Sequence, residues 1–311
     1  MVPDHVVAEH KFPECVDKIY PANGLFRFFM IVGKHVFPDN CRNGIKSVIS
    51  GYPCCYPDWI WQSEIRMNSS EPTKRDVVAF GESPVPVETP GYLHKIYWWA
   101  YEHPLAVRFW DHGFLINFIL LGNYDRLVNA VLDEFSDGLD GDTLQISCAY
   151  GKLTPRLESR LNEGGRLDVI DVLKVQLENV RRKLKWPGER VRLIQCDATR
   201  LNCPDASYDQ VLMFFLPHEL PGDKRRQALS EAVRVVKPGG KVILVEFHRP
   251  KWWHPLRLWQ RLVFLLFEPF ATDMWRHDLT YYLPEYPECL VERHETYFGD
   301  LYQKLVLVRK K

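Results

Sequence analysis

The chain has no cysteine framework. Its eight cysteines (15, 41, 54, 55, 148, 196, 203 and 289) include no Cys-x-x-Cys pair, which removes the common zinc and dithiol motifs. At 311 residues it is also too long to depend on disulfides, so the cysteines read as free thiols in a reducing compartment, the adjacent Cys54 and Cys55 as inert. Net charge is missing too. The 40 lysines and arginines balance 40 aspartates and glutamates, which leaves no electrostatic footprint for nucleic acid. No hydrophobic run reaches spanning length; the nearest, residues 25–32, is broken by Arg27, and an integral membrane protein is not expected. Four acids within the first twenty residues argue against a secretory signal peptide. No internal repeat is visible.

The hydrophobic content is 46%, enough for a sizeable core. The ten tryptophans, several beside arginine or lysine, suit aromatic pockets or a membrane interface. Residues 1–90 differ from the rest. Prolines recur there, and the aromatic pieces at 26–32 and 59–61 have no sustained period. They read as an extension with one or two short helices, partly disordered, and a linker near 82–90. Within it, residues 23–51 carry Arg27, Lys34, Arg42 and Lys46 against Asp39 alone. That is either part of an organelle-targeting region or simply a variable extension.

Residues 91–311 form the second expected domain. Its start, 92–135, reads as a helical cap. Tyr97, Trp98 and Tyr101 make one apolar stripe and Phe114, Phe118 and Leu121 another, with breaks at Pro104 and Gly113. From residue 143 strands and helices alternate. Strands are expected at 143–148, 167–171, 190–195, 208–215 and 240–247, and helices at 155–163, 174–185, 222–236 and 255–268. The run Lys237-Pro238-Gly239-Gly240 stops a helix and turns into a strand. A hairpin through Gly299-Asp300 joins 297–298 to 302–308 and closes the sheet. The fold class is α/β, a Rossmann-like open sheet.

Such sheets bind ligands at the carboxyl ends of their strands. The acid ending the second strand, Asp171, can accept from two ribose hydroxyls, or cap the helix that follows. Asp197, after the third strand, either accepts from an adenine amino group or is a turn residue. The fourth strand closes on Phe214, then His218 and Glu219, a base and a carboxylate at the same edge. They serve as general base and acid, hold a divalent ion, or cap the next helix. Glu246 and His248 end the fifth strand in the same way, and His277 stands beside further acids. Helix 255–268, with Arg257 and Arg261 among apolar residues, reads either as a core helix or as an interfacial helix or lid over a lipophilic substrate.

The order of elements, with LDVIDV at 167–172, CDATRLNCPDASYDQV at 196–211 and EAVRVVKPGGKVILVEF at 231–247, resembles the class I S-adenosylmethionine methyltransferases, especially their ubiquinone/menaquinone C-methyltransferase branch. The resemblance implies a mostly parallel seven-stranded sheet with an antiparallel C-terminal hairpin strand and an N-terminal helical cap. It implies an adenosylmethionine site at Gln145, Cys148, Gly151, Asp171, Val172, Asp197, Ala198 and Phe214. The family's first turn reads Asp-x-(Gly/Ala)-Gly-x-Gly. Here the leading acid, which binds the methionine ammonium, is Gln145. Cys148, Ala149 and Tyr150 replace glycines, and Gly151 alone is kept. A neutral amide cannot pair with an ammonium as a carboxylate does, and Tyr150 projects into ligand space.

That departure, with QISCAYGKLTPRL at 145–157, FFLPHEL at 214–220 and EFHRP at 246–250, is similar to the rhodoquinone-biosynthesis (RquA) family. This resemblance covers about residues 92–308. It implies replacement of a ring methoxy group of ubiquinone by an amino group, with S-adenosylmethionine as amino donor and manganese as metal. Losing the carboxylate at 145 favours a neutral, nucleophilic amine. Catalytic roles then fall to His218, Glu219, His248 and Tyr150, and metal binding to His218, Glu219, Glu246 and His277. Ubiquinone is the expected partner, with peripheral contact to the inner mitochondrial membrane and no nucleic acid. The alternatives are an S-adenosylmethionine-dependent quinone or phenol methyltransferase and a non-catalytic subunit of a quinone-synthesis complex.

Overall fold

The computed structural model describes residues 87–311 except 103, 136, 186 and 284–288. The proline-rich extension, its basic segment and Cys54-Cys55 lie outside the described residues, as does all of the expected linker before residue 87.

Seven strands form one sheet in the order β3-β2-β1-β4-β5-β7-β6. They are β1 (Asp142–Ile146), β2 (Arg166–Asp171), β3 (Val191–Gln195), β4 (Tyr208–Phe214), β5 (Val236–Phe247), β6 (Cys289–Tyr297) and β7 (Tyr302–Arg309). Only β7 runs antiparallel to its neighbours. The fold is therefore the expected Rossmann-like methyltransferase fold with its antiparallel C-terminal hairpin. The central strands are near-continuous apolar runs, as a sheet covered on both faces requires. Leu144, Ile146, Val211, Leu212, Met213, Ile243 and Leu244 are all fully buried.

Several boundaries differ from the sequence reading: the helices expected at 155–163 and 174–185 end at Glu158 and Arg181, and two strands differ more. The strand before the hairpin is not 297–298 but β6, nine residues long. It is an edge strand, exposed at most positions and rich in charge, so it carries no apolar alternation to reveal it. The strand expected from 240 begins at Val236, paired with Tyr208 before a register shift. Gly239, at φ +83°, makes the turn inside it.

The sheet reverses direction of growth between β1 and β4, which pair directly. That switch point opens a crevice at the carboxyl ends of these two strands. Helices α1 (Gly91–Ile96), α2 (Trp98–Tyr101), α3 (Pro104–Trp110), α4 (Gly113–Ile119) and α5 (Tyr124–Leu132) form the expected cap. Behind the turns lie α6 (Leu153–Glu158), α7 (Lys174–Arg181), α8 (Gly222–Val235) and α9 (Arg257–Phe267). Tyr97, Ile116 and Leu120 of the cap are buried, but Phe114 is 85% exposed and Phe118 65%, so the second stripe is only partly core.

Candidate functional site

The turn after β1 is folded tightly on itself. Ser147 adopts φ +73°, a conformation costly for a residue with a side chain. It is held by Asp171, whose carboxylate accepts the backbone N–H of Cys148 at 2.8 Å and that of Leu173 at 2.9 Å. Gln145 is fully buried. Its amide donates to the Ser147 carbonyl at 3.0 Å and its oxygen accepts from the Thr154 hydroxyl at 3.0 Å. It thus braces the turn from below, and it reaches a ligand only through the backbone it fixes.

The cap is bolted to the same turn. Asp111 accepts the Gly151 N–H at 2.6 Å and pairs with Lys183 at 2.8 Å, while Lys183 also donates to the Gly151 carbonyl. The Tyr124 hydroxyl accepts the Lys152 N–H and donates to the Tyr150 carbonyl. Gly151 sits at φ +83°, and a Cβ there would meet the Tyr124 hydroxyl at 2.4 Å. This accounts for the one glycine retained. Gly151→Ala should lower the melting temperature by roughly 5–10 °C in a thermal scan.

Tyr150 is pinned. Its hydroxyl donates to the Ala100 carbonyl and accepts from Gln176, both at 2.9 Å, and its ring stacks on Tyr101 at 5.7 Å. Burial raises its pKa above the ordinary tyrosine range, so it stays a neutral phenol.

Across the crevice, the chain leaving β4 turns through Phe215 at φ +56° into a short 3-10 turn holding His218 and Glu219. Fully buried Glu246, at the end of β5, accepts the His218 backbone N–H at 3.0 Å and lies 3.1 Å from its Nδ1. His218 Nε2 is 4.0 Å from Glu268, just beyond α9. Glu268 accepts from the Tyr97 hydroxyl at 2.8 Å and Glu219 from that of Tyr101 at 2.5 Å. The cap therefore supplies two phenols to two carboxylates. Arg225, buried on α8, sets the spacing by donating to the carbonyls of Pro217, Leu220 and Phe270 at 2.6–3.0 Å.

Three carboxylates around one imidazole cannot all ionise freely. Burial alone would lower the His218 pKa, but the negative charges of Glu246, Glu268 and Glu219 outweigh it and raise the value to about 9. Burial, reinforced by Glu268, pushes Glu219 up to about 8 against the pull of His218 and Tyr101. Burial also raises Glu268. Its side chain keeps a fifth of its surface exposed, so it borders solvent while His218 and Glu246 do not. Near neutral pH the cluster thus holds an imidazolium together with at least one protonated carboxylic acid.

The structure brings Gln145, Cys148, Tyr150, Gly151 and Asp171 together at the turn, and His218, Glu219 and Glu246 at the cluster. Burial raises the Cys148 thiol, which stays protonated. Burial also pushes Asp171 up to about 6, against the hydrogen bonds from Cys148, Leu173 and Ser147. Its Oδ2 accepts from the Cys148 N–H and the Ser147 hydroxyl, while Oδ1, bonded to the Leu173 N–H, keeps a lone pair for a ligand hydroxyl. Val172 and Ala198 are half-buried at the ends of β2 and β3. Asp197 spends Oδ1 on the Thr199 N–H and has Oδ2 to offer. Phe214 is buried against Phe215 and Tyr124 and forms the crevice floor. These groups fit the nucleoside half of adenosylmethionine; the methionine half must share space with Tyr150.

Two histidines stand apart. His248 bonds the Asp300 carbonyl at 2.9 Å and packs on His294, both on the β6–β7 hairpin. His277 is exposed and stacks on Tyr281 at 4.2 Å, away from the buried His218. The expected manganese site from His218, Glu219, Glu246 and His277 is therefore not assembled. No group of three or more His, Cys, Asp or Glu side chains spaced to hold a metal occurs among the described residues, and His218 Nδ1 is already committed to Glu246. The sequence reading missed Glu268, Tyr97 and Tyr101 as site residues. The i, i+4 spacing of the tyrosines showed a shared face; what it could not show was that both hydroxyls end on carboxylates.

Comparison with known proteins agrees with this geometry in part. Residues 143–240 match a family model described as a methyltransferase domain. Among curated proteins, the ubiquinone/menaquinone biosynthesis C-methyltransferase UbiE of Azotobacter vinelandii is 30% identical over 139 residues, 44% of this chain and 54% of that protein. UbiE of Hahella chejuensis is 25% identical over 181 residues, 57% of this chain and 69% of that protein. The chain spans about half the length of the first of these relatives. Among solved structures, a SAM dependent methyltransferase from Aquifex aeolicus has a TM-score of 0.43 at 20% identity, covering 67% of this chain and 98% of that one. The N-methyltransferase NodS from Bradyrhizobium japonicum has a TM-score of 0.43 at 14% identity, covering 60% and 96%. The matched segment contains the turn, Asp171, His218 and Glu219. Glu246, Glu268 and the tyrosines of the cap lie outside it.

Proposed function

We propose that this protein is an S-adenosylmethionine-dependent transferase acting on a quinone or hydroquinone ring. The observation that carries the reading is the two-sided crevice at the β1–β4 switch point. One wall offers nucleoside acceptors, Asp171 and Asp197. The other offers a buried acid–imidazole–phenol cluster with protons to give and take at a ring oxygen. The UbiE relatives support a quinone acceptor and, among transfers, that of a methyl group to the ring. Bound adenosylmethionine supplies an electrophilic methyl and an amino nitrogen. The chain's own contribution is to hold the ribose at Asp171, exclude water with Phe214 and the cap tyrosines, and place the Glu219 proton at the acceptor oxygen.

A second reading, ring amination as in the rhodoquinone-biosynthesis family, is favoured by one feature. The turn offers no carboxylate to an ammonium, since position 145 is a buried, internally bonded glutamine. Tyr150, in the same turn, is held by Ala100, Gln176 and Tyr101.

The two are separated by mass spectrometry of a short-tail ubiquinone and its demethylated hydroquinone precursor, incubated with adenosylmethionine carrying distinct methyl-carbon and amino-nitrogen labels. Methyl label in the product establishes methyl transfer. Nitrogen label with loss of a methoxy group establishes amination. Calorimetry should find wild-type binding of adenosylmethionine weakened about tenfold or more by Asp171→Ala, the loss expected for a hydroxyl bonded to a carboxylate. Neither label in product together with no binding would overturn both enzyme readings and leave a non-catalytic subunit.

A further inference from the structure

Outside the crevice, four arginines converge. Arg249, Arg257, Arg261 and Arg276 line one cavity of about 400 Å³ whose floor includes Phe264 and Trp275 and whose lining contains no acid. Compensation is slight. Arg276 reaches Asp273 at 3.5 Å, and Arg257 donates to the Pro250 carbonyl at 3.2 Å. Arg249 and Arg261 are exposed with no ion-pair partner among the described residues. In a chain of zero net charge this is a local concentration of positive charge that an anion would relieve. The Trp275 indole N–H is buried with no acceptor among the described residues, a second unsatisfied donor at the same place.

The rim is apolar and uncovered. On α9, Leu258, Leu262 and Leu265 recur at i, i+4 and i+7 and are 44–77% exposed, with Trp259 beside them. Trp252 and Trp253, just before the helix, are 84% and 57% exposed. The opposite face of α9 is spent on the core through Gln260 and Phe264. A soluble anion would use the arginines but leave the leucine–tryptophan stripe in water. A neutral apolar partner would bury the stripe but strand the guanidinium groups. An anionic bilayer satisfies both, with tryptophan and leucine in the acyl boundary and arginine at the headgroups.

We propose that α9 and the loop before it dock on an anionic phospholipid surface, with one headgroup phosphate in the four-arginine cavity. Glu268 ends this helix within the cluster, so the docked face adjoins the crevice and a lipophilic substrate need not cross water to enter. The docking itself is independent of the reaction catalysed and is read without turnover.

The test is flotation of the full chain with vesicles of phosphatidylcholine alone or mixed with phosphatidylglycerol. Selective flotation with the anionic vesicles is expected, weakening as salt rises. Arg249→Gln and Arg261→Gln, both at exposed positions, should each lower the partition constant about fivefold, and together about 25-fold. The pair Trp259→Ser and Leu262→Ser should lower vesicle binding while leaving calorimetric binding of glycerol 3-phosphate intact. Equal flotation with both vesicle types, or arginine variants that bind anionic vesicles as the wild type does, would overturn the headgroup assignment. Glycerol 3-phosphate binding without vesicle binding would make the cavity a site for a soluble phosphate and overturn the membrane assignment.

Discussion

Glu246→Ala is expected to lower the melting temperature by on the order of 10 °C near neutral pH, the cost of a broken buried ion pair. Glu246 is fully buried and is the closest counter-charge to His218, besides accepting its backbone N–H. Alanine strands a donor and an imidazolium together. Glu246→Gln keeps an acceptor and should lose less. The effect carries a pH signature. The folded-state His218 pKa, about 9, lies above its unfolded value. The stability it contributes is therefore complete below about pH 6.5 and is lost as pH rises through 9. The gap between wild type and Glu246→Ala should narrow over that window. A calorimetric scan giving melting points within a couple of degrees at pH 6.5 would mean that the pair is not what holds this edge.

Glu219→Gln is expected to reduce turnover by about 10²–10⁴-fold, the span of a positioned proton donor, with little change in adenosylmethionine affinity. Glutamine keeps an oxygen for the Tyr101 hydroxyl, so the local geometry survives while the titrating proton is gone. The wild-type rate should fall as pH rises through about 8, where Glu219 ionises, and the variant should lose that limb. Stability falls over the same range. A carboxyl raised from 4.5 to about 8 stabilises the fold below pH 4.5 and loses that contribution as pH rises through 8. Above pH 8, Glu219→Gln should then melt higher than the wild type. A variant retaining most of its turnover with an unchanged pH profile would remove Glu219 from the proton path.

The parts legible in the sequence were those with a period or an end. Strands β1 to β5 announced themselves as apolar runs, and Asp171, His218 and Glu246 as polar residues terminating them. β6 was not legible because an exposed edge strand such as CLVERHETY has no buried face to pattern. Tyr97 and Tyr101 were recognised as packing residues, since their rings follow helical spacing. Their hydroxyls meet Glu268 and Glu219, which are 171 and 118 residues away, and no local pattern encodes such pairings. His248 and His277 misled for the same reason in reverse. Each follows a strand or a turn near the expected edge, yet the hairpin and the Tyr281 ring claim them.

Arg225 has a further consequence. It ties the His218–Glu219 turn to the chain just past Glu268 through three backbone carbonyls. The groups it spaces do change protonation, Glu219 at about pH 8 and His218 at about pH 9. The site is thus a titrating interior whose spacing is fixed through main-chain carbonyls. Across that range the protein can exchange protons with a bound ring while the atoms that hold the ring stay where they are.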